Sequence, residues 1–209
     1  MEKKLVASML FGLSLLVSTT VLATPLATYT HNYGSGAGQV DPGGSDDLHD
    51  GYVTVSDNSS SRFNDAFAFS GLSFDSVDYF DLTLTFADTN ASWLGWPLEI
   101  WYARPGGTPD QYTSFKLNAY GRNYASQTFR IDSTLQPEFN NMVLAQNFFF
   151  WFAEETAAGL WYAPDTFKLK SASLTIDGTV PAPVPEPATM LLMGAGLAGL
   201  VAMRRRKKA

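Results

Sequence analysis

Apolar and polar side chains alternate along short stretches of the chain, and residues 79–87 show this most clearly. The apolar positions in that stretch are Phe80, Leu82, Leu84 and Phe86. Every second residue of a β-strand points to the same side of a sheet, so this pattern predicts a strand with one buried face. Between residues 28 and 180 no stretch repeats its apolar residues with a helical period, and we expect no amphipathic helix there.

Further short apolar runs are bounded by Gly, Asn, Asp, Ser and Pro, which favour turns. They predict strands at residues 52–55, 65–69, 98–102, 112–117 and 127–132. The aromatic run from Phe148 to Phe152, within residues 142–154, predicts a central strand covered on both faces.

Residues 166–176 predict the last strand, whose apolar positions change parity. These positions are Phe167, Leu169, Ala172, Leu174 and Ile176. The change falls between Leu169 and Ala172. Because a slip of one residue exchanges the two faces of a strand, we expect a β-bulge or a break near Lys170 and Ser171.

Eight or nine short strands joined by loops predict an all-β fold, an antiparallel β-sandwich of the jelly-roll type. About 150 residues can bury a single large core, and we place this one domain at residues 24–180. Residues 31–51 are rich in Gly and Asp, which predicts a loop-rich segment ahead of the main strands.

The N-terminal segment has the arrangement of a secretory signal peptide. Two lysines precede the apolar residues 5–17, and small residues follow them. This order predicts a signal helix over residues 1–23, export through the Sec machinery and cleavage after Ala23. An uncleaved membrane anchor and a buried helix are the alternatives.

The C-terminal segment combines a proline-rich spacer, an apolar stretch and a basic cluster. Residues 181–187 form the spacer, and residues 188–203 contain no charge. As a helix, the apolar stretch would span about 24 Å, which predicts a short transmembrane helix. The basic residues within 204–209 predict a cytoplasmic tail that stops translocation. They are Arg204, Arg205, Arg206, Lys207 and Lys208.

This arrangement resembles the PEP-CTERM sorting signal. The resemblance covers residues 183–209 and includes Val184, Pro185, Glu186 and Pro187. It implies recognition and cleavage by an exosortase, an integral-membrane cysteine protease of Gram-negative bacteria that also make exopolysaccharide. It also implies a precursor anchored in the inner membrane and a product sent to the cell surface or the biofilm matrix. A simple C-terminal membrane anchor is the alternative.

The distribution of charge agrees with these two terminal segments. The chain has a formal net charge of −6 and no cysteine. Residues 24–184 contain seven basic and 18 acidic residues, a net charge of −11, so positive charge concentrates at the ends. An acidic body argues against binding to nucleic acid. The lack of cysteine excludes disulfides, thiolate zinc sites and cysteine nucleophiles.

The sequence contains few residues suited to catalysis. His31 and His49 are the only histidines, and both lie in the loop-rich segment, where we expect them to face solvent. With no other histidine base and no Gly-x-Ser-x-Gly turn, we expect no Ser-His-Asp triad. Glu99, Glu154 and Glu155 lack the spacing of paired glycosidase carboxylates. We therefore expect no enzyme, and an extracellular glycoside hydrolase is the least favoured alternative.

An acidic cluster provides a metal-binding hypothesis. Asp41, Asp46, Asp47 and Asp50 lie within ten residues, and hard carboxylate oxygens suit Ca²⁺. The spacing differs from that of an EF-hand loop, and Asp also favours turns. The sequence leaves open a structural Ca²⁺ site and a solvated acidic turn, and it indicates no other cofactor.

Two tryptophans in a predicted loop provide a sugar-binding hypothesis. Trp93 and Trp96 either present aromatic faces to sugar rings or pack onto the core, as aromatic residues usually do. The other tryptophans, Trp101, Trp151 and Trp161, are assigned to packing. The sequence favours a non-catalytic exported protein of the surface or biofilm matrix, with a lectin-like module for exopolysaccharide as the alternative.

Overall fold

The computed structural model describes residues 25–44, 47–57, 62–89, 92–93, 96–97, 99–156, 166–181, 192–198 and 204. Its strands form two large antiparallel sheets and a short hairpin, consistent with the predicted all-β sandwich. The strands are β1 (Ala27–Asn32), β2 (Asp47–His49), β3 (Tyr52–Ser56), β4 (Asn64–Ala68), β5 (Ser76–Ala87), β6 (Ser92–Trp93), β7 (Trp96–Pro97), β8 (Glu99–Thr108), β9 (Gln111–Tyr112), β10 (Phe115–Lys116), β11 (Ala125–Asp132), β12 (Asn147–Thr156) and β13 (Thr166–Thr179). Helix α1 spans Glu138–Ala145. The jelly-roll type stays a prediction.

The six-stranded sheet is organised around β13, its longest strand. β5 pairs along one side of β13, from Lys168 to Thr179. On the other side, β3 pairs with residues 166–169 and β1 with residues 171–176, so these two strands lie end to end. β11 extends the sheet beyond β5, and β2 extends it beyond β3.

The five-stranded sheet has β8 and β12 at its centre. β4 pairs with β12 along Asn64–Ala68. β9 and β10 pair with separate parts of the other side of β8. β12 therefore has a neighbouring strand on each side, which confirms the central position predicted for the aromatic run.

The two sheets bury a common core that is lined by alternate residues of their strands. Phe80 of β5 contacts Phe148 of β12 with ring centroids 5.6 Å apart, and Phe167 of β13 contacts Trp101 of β8 at 4.8 Å. Trp101 is buried, as its assignment to packing predicts. All four apolar residues of β5 identified from the sequence are fully buried, which confirms the predicted alternation. Burial of this apolar surface is the main force that holds the sheets together.

The predicted irregularity in β13 is confirmed. Its register against β5 shifts between Leu169 and Ser171, so Lys170 is the extra residue of a bulge. The bulge allows both Leu169 and Ala172 to face the core, where both are fully buried. In a regular strand, either the apolar residues up to Leu169 or those from Ala172 onward would face solvent.

Helix α1 contradicts our expectation that residues 28–180 contain no amphipathic helix. Phe139 and Met142 of this helix are buried, and Val143 packs against the core. Their i, i+3, i+4 spacing places one face of α1 over β8 and β12. The helix ends where Gln146 adopts a left-handed conformation with φ of 47°.

The outer face of the six-stranded sheet is lined by hydroxyl groups. In one row across four strands, Thr30, Ser173, Thr83 and Thr128 are successive backbone partners. The hydroxyls of Thr30 and Ser173 are 3.0 Å apart, and those of Thr83 and Thr128 are 2.8 Å apart. Cross-strand pairs of this kind stabilise a sheet. Their short polar side chains give the sheet one buried and one solvated face.

Several predicted segments lie outside the described residues. They include the signal helix at 1–23 and nearly all of the spacer at 181–187. Residues 192–198, inside the predicted transmembrane stretch 188–203, are helical. Among the described residues, no helix combines the length and the apolar character needed to cross a bilayer.

Candidate functional site

The described part of the chain leads toward the predicted sorting motif. The motif itself, Val184 to Pro187, lies outside the described residues. β13 ends at Thr179, whose carbonyl oxygen accepts a hydrogen bond from the Asp75 amide at 2.9 Å. The next residue, Val180, is 64% exposed. The chain therefore leaves the most extensively paired strand of its sheet and becomes solvent-exposed before it reaches the motif.

The other predicted sorting residues lie mostly beyond the described ranges. These are Ala23, the predicted signal-cleavage residue, and residues 205–208 of the basic cluster. Arg204, the first residue of that cluster, is exposed. Their roles in cleavage and topology stay predictions.

The described part of the acidic cluster does not assemble a shared ligand set. Asp47 lies 3.1 Å from His49, and Asp50 accepts a hydrogen bond from a glutamine side chain at 3.3 Å. Asp41 is exposed, and Asp46 lies outside the described residues. Within the described ranges, no three His, Cys, Asp or Glu side chains are grouped closely enough to hold a metal ion. The Ca²⁺ site stays a prediction.

The two tryptophans of the sugar-binding hypothesis lie in a short hairpin. Trp93 of β6 and Trp96 of β7 are backbone partners. Their side chains lie outside the described part of the structure, so their contribution to sugar binding stays a prediction.

The three candidate carboxylates lie on neighbouring strands. Glu99 of β8 is the backbone partner of Thr156 in β12, two residues beyond Glu154. Glu155 lies 3.6 Å from Arg104, and the backbone amide of Glu154 donates to Asp57 at 3.0 Å. The side chain of Glu99 lies outside the described part of the chain, and this register alone does not define a pair of catalytic carboxylates.

A hydrogen-bonded cluster joins one edge of each sheet and shows that our prediction of a solvent-facing loop position was wrong for His31. His31 lies in β1 rather than in a loop, and only 28% of its side chain is exposed. Its Nδ1 atom lies 2.6 Å from Oδ2 of Asp65 in β4, and the Tyr33 hydroxyl donates to the same oxygen at 2.6 Å. His49 also lies in a strand, β2, where it stacks on Tyr52. Because Asp65 is 34 residues from His31, no local pattern indicates this pairing.

Tyr33→Phe is expected to change the pH dependence of stability. Burial of the Tyr33 hydroxyl, and then the neighbouring Asp65, raise its pKa well above the ordinary value. The unfolded chain therefore loses this proton at a lower pH than the folded chain does. The resulting stabilisation is complete below the unfolded pKa of about 10 and is lost as pH rises from there through the folded pKa.

The measurement is urea denaturation of the parent chain and of Tyr33→Phe at about pH 8 and about pH 11, on either side of the ordinary tyrosine pKa. We expect the parent chain to lose more free energy of unfolding over this interval than the variant does. Equal losses in the two proteins would show that Tyr33 does not contribute to the alkaline transition.

An open cleft of about 370 Å³ lies on the outer face of the five-stranded sheet. It is lined by Arg62, Phe63, Asn64, Pro109, Phe149 and Trp151. Phe149 and Trp151 face this side because the intervening Phe150 faces the core, where it is fully buried. Aromatic walls with a few polar groups are typical of small-molecule sites, and this cleft is the candidate binding site of the sandwich.

Trp151 lines this cleft and is only 9% exposed. It packs among neighbouring side chains on the outer face of the sheet, as its assignment to packing predicts. The guanidinium carbons of Arg62 and Arg104 lie 5.0 and 4.8 Å from its ring centroid. Tyr112 contacts the ring edge-on, with centroids 5.1 Å apart. The outward orientation of Trp151 follows from strand parity once the structure shows that Phe150 faces the core. Trp161 lies outside the described residues.

Arg62, which lines the cleft, and Arg104, which contacts the same Trp151 ring without lining the cleft, each have an acidic neighbour. Arg62 forms an ion pair with Asp57, with its Nε atom 2.6 Å from Oδ1 of the carboxylate. Arg104 lies 3.6 Å from Glu155, and its Nε atom is buried without a hydrogen-bond partner in the described part of the chain. The site therefore combines fixed N–H donors with little net charge.

Two solved structures of the Tobacco streak virus coat protein are similar to part of the chain. The coat protein dimer has a TM-score of 0.24 and 18% sequence identity, covering 68% of this chain and 94% of that chain. The C2 crystal form has a TM-score of 0.24 and 14% identity, covering 68% of this chain and 96% of that chain. Likenesses this weak support no argument about fold or function. No curated protein matches the chain by sequence.

A family model of the PEP-CTERM protein-sorting motif matches residues 183–207. The match confirms the resemblance carried by residues 184–187 and the basic cluster. It supports export of a membrane-anchored precursor that an exosortase sorts toward the cell surface. The match covers the C-terminal segment and not the sandwich. The chain therefore carries a PEP-CTERM protein-sorting motif in its C-terminal segment, which supports its assignment as an exosortase substrate.

Proposed function

We propose that this protein is non-catalytic and acts at the cell surface or in the biofilm matrix of a Gram-negative bacterium. The observation that supports the proposal is the sorting motif at residues 183–207. In this scheme the Sec machinery exports the chain, residues 188–203 hold the precursor in the inner membrane, and an exosortase cleaves near Pro185–Pro187. The released sandwich carries the strongly acidic part of the sequence to its destination.

The short connection between the sandwich and the motif supports processing close to the folded body. Four residues, 180–183, lie between Thr179, the last residue of β13, and Val184. Fully extended, such a connection spans at most about 17 Å. We infer that the folded sandwich lies directly beside the membrane protease when the motif is cleaved.

Removal of residues 184–209 tests the proposal. In a host that contains the matching exosortase, we expect the truncated chain to be lost from the surface fraction, because the sorting motif and the membrane segment are both missing. Immunoblots of membrane, surface and medium fractions measure the distribution. A chain carrying Trp93→Ala and Trp96→Ala, with the motif intact, is the control and should reach the surface. Unchanged surface delivery of the truncated chain would contradict the proposal.

A lectin-like carbohydrate-binding module is the second candidate, and exopolysaccharide is the proposed partner. The cleft beside Trp151 supports it, since aromatic and planar polar side chains both line one open concave surface. The hairpin of Trp93 and Trp96 is a second proposed contact. This role is compatible with delivery to the surface and does not depend on it.

A further inference from the structure

We propose that the cleft beside Trp151 binds an uncharged saccharide unit within a neutral polysaccharide chain. This inference rests on the proposed carbohydrate-binding role and names its site and the class of sugar. The cleft is open on the outer face of the five-stranded sheet and measures about 370 Å³. Small-molecule sites typically range from about 300 to 1,000 Å³, so the cleft is large enough for a small cyclic unit and leaves its ends accessible to a continuing chain.

The polar side of the cleft offers the groups that recognise hydroxyls. The ion pair with Asp57 engages the Nε edge of Arg62, while the guanidinium also carries terminal N–H donors on its Nη atoms. Asn64 donates from Nδ2 to the Arg62 carbonyl oxygen at 3.2 Å, and its side-chain oxygen is an acceptor. A donor fork beside an amide acceptor matches neighbouring hydroxyls of a sugar, each of which both donates and accepts.

The apolar side of the cleft offers a surface for the C–H face of a sugar ring. Phe149 is half-buried and lines the cleft together with Trp151 and Pro109. The negative face of an aromatic ring attracts the slightly positive hydrogens of C–H groups. The cleft therefore combines one polar and one apolar wall, which suits a ligand with a polar rim and an apolar face.

Neighbouring side chains hold Arg62, the main polar group of the cleft, in place. Stacking against Trp151 restrains the guanidinium of Arg62, and the ion pair with Asp57 restrains it further. Asp57 is itself held by the backbone amide of Glu154 at 3.0 Å. A prearranged arginine loses less side-chain entropy on binding than a free one, so more of each hydrogen bond contributes to affinity.

The charges favour a neutral ligand over an acidic one. Arg62 and Arg104 each lie beside a carboxylate, Asp57 and Glu155 respectively. The cationic groups of the site are thus largely compensated. Residues 24–184 carry a net charge of −11, which repels a polyanion as it approaches. A neutral polysaccharide avoids this repulsion and still uses every hydrogen-bonding group of the cleft.

Affinity electrophoresis of the full chain in detergent tests the inference, with dextran, galactan and mannan as neutral probes and polygalacturonate as the acidic probe. We expect at least one neutral polysaccharide to bind and polygalacturonate to bind less. Arg62→Gln should weaken the neutral interaction about tenfold, as expected for a lost hydrogen bond to a charged donor. Arg62→Lys should weaken it similarly, because lysine lacks the planar fork.

Two further variants separate the cleft from the rest of the surface. Phe149→Ala should also weaken binding, whereas Arg122→Gln, an exposed position outside the cleft, should leave it unchanged. Thermal unfolding confirms that each variant is folded. If Arg62→Gln and Phe149→Ala leave the affinity unchanged, the sugar does not bind in the cleft. The carbohydrate-binding role itself would then still stand. Preference for polygalacturonate would overturn neutrality alone, and no binding to any of the four probes would overturn both the inference and the carbohydrate-binding role.

Discussion

Phe150→Ala is expected to lower the free energy of unfolding by about 3–5 kcal/mol, the range for removing a buried phenylalanine. Phe150 lies at the centre of β12 and is fully buried. Its ring centroid is 5.7 Å from that of Phe63, 6.0 Å from Phe67 and 5.9 Å from Phe152. Alanine would remove these contacts and leave a cavity that the paired strands on both sides cannot close.

Phe149→Ala is the matched control, because the two residues are adjacent and face opposite sides of the same strand. Phe149 is half-buried on the outer face, so its loss is expected to cost about 1 kcal/mol. Urea denaturation followed by tryptophan fluorescence measures both variants. Equal losses for the two positions would contradict the assignment of Phe150 to the core and of Phe149 to the cleft.

The alternation of β5 and the bulge of β13 were predictable because they are local properties. Each follows from the parity of neighbouring apolar residues, and the requirement to bury one face allows few registers. The bulge at Lys170 is the stronger case, since a single extra residue reconciles two apolar groups of opposite parity. The sorting motif was predictable for a similar reason, because its three parts follow one another in the sequence.

Helix α1 and the cleft were not predicted because packing decides them. Only Phe139, Met142 and Val143 mark the apolar face of α1, and eight residues give too short a window for a helical period. The aromatic run beside the helix also masked the parity of Trp151, since every position in that run is apolar. Which side of β12 faced solvent depended on where the other sheet packed, and this is a non-local property.

Asp65→Ala is expected to lower the free energy of unfolding by about 3 kcal/mol, as when one partner of a buried polar pair is removed. The side chain of Asp65 is 11% exposed, and its Oδ2 serves both His31 and Tyr33. Its other oxygen accepts a hydrogen bond from the amide of Ala66 at 2.7 Å. Without the carboxyl group the buried Tyr33 hydroxyl loses its partner, and the link between β1 and β4 is broken.

An exposed ion pair between β5 and β11 of the six-stranded sheet provides the comparison with the buried Asp65 contacts. Asp81 binds Arg130 through two hydrogen bonds of 2.9 and 2.7 Å, but Arg130 is 54% exposed. Asp81→Ala should therefore cost no more than about 1 kcal/mol. A double-mutant cycle of Asp65→Ala with Tyr33→Phe isolates the buried contact, and we expect the second substitution to cost less once Asp65 is absent, since the hydroxyl has then lost its acceptor. Additive losses, or an Asp65→Ala effect as small as that of Asp81→Ala, would mean that the edges of the two sheets are held by apolar packing around His31 and Phe67 instead.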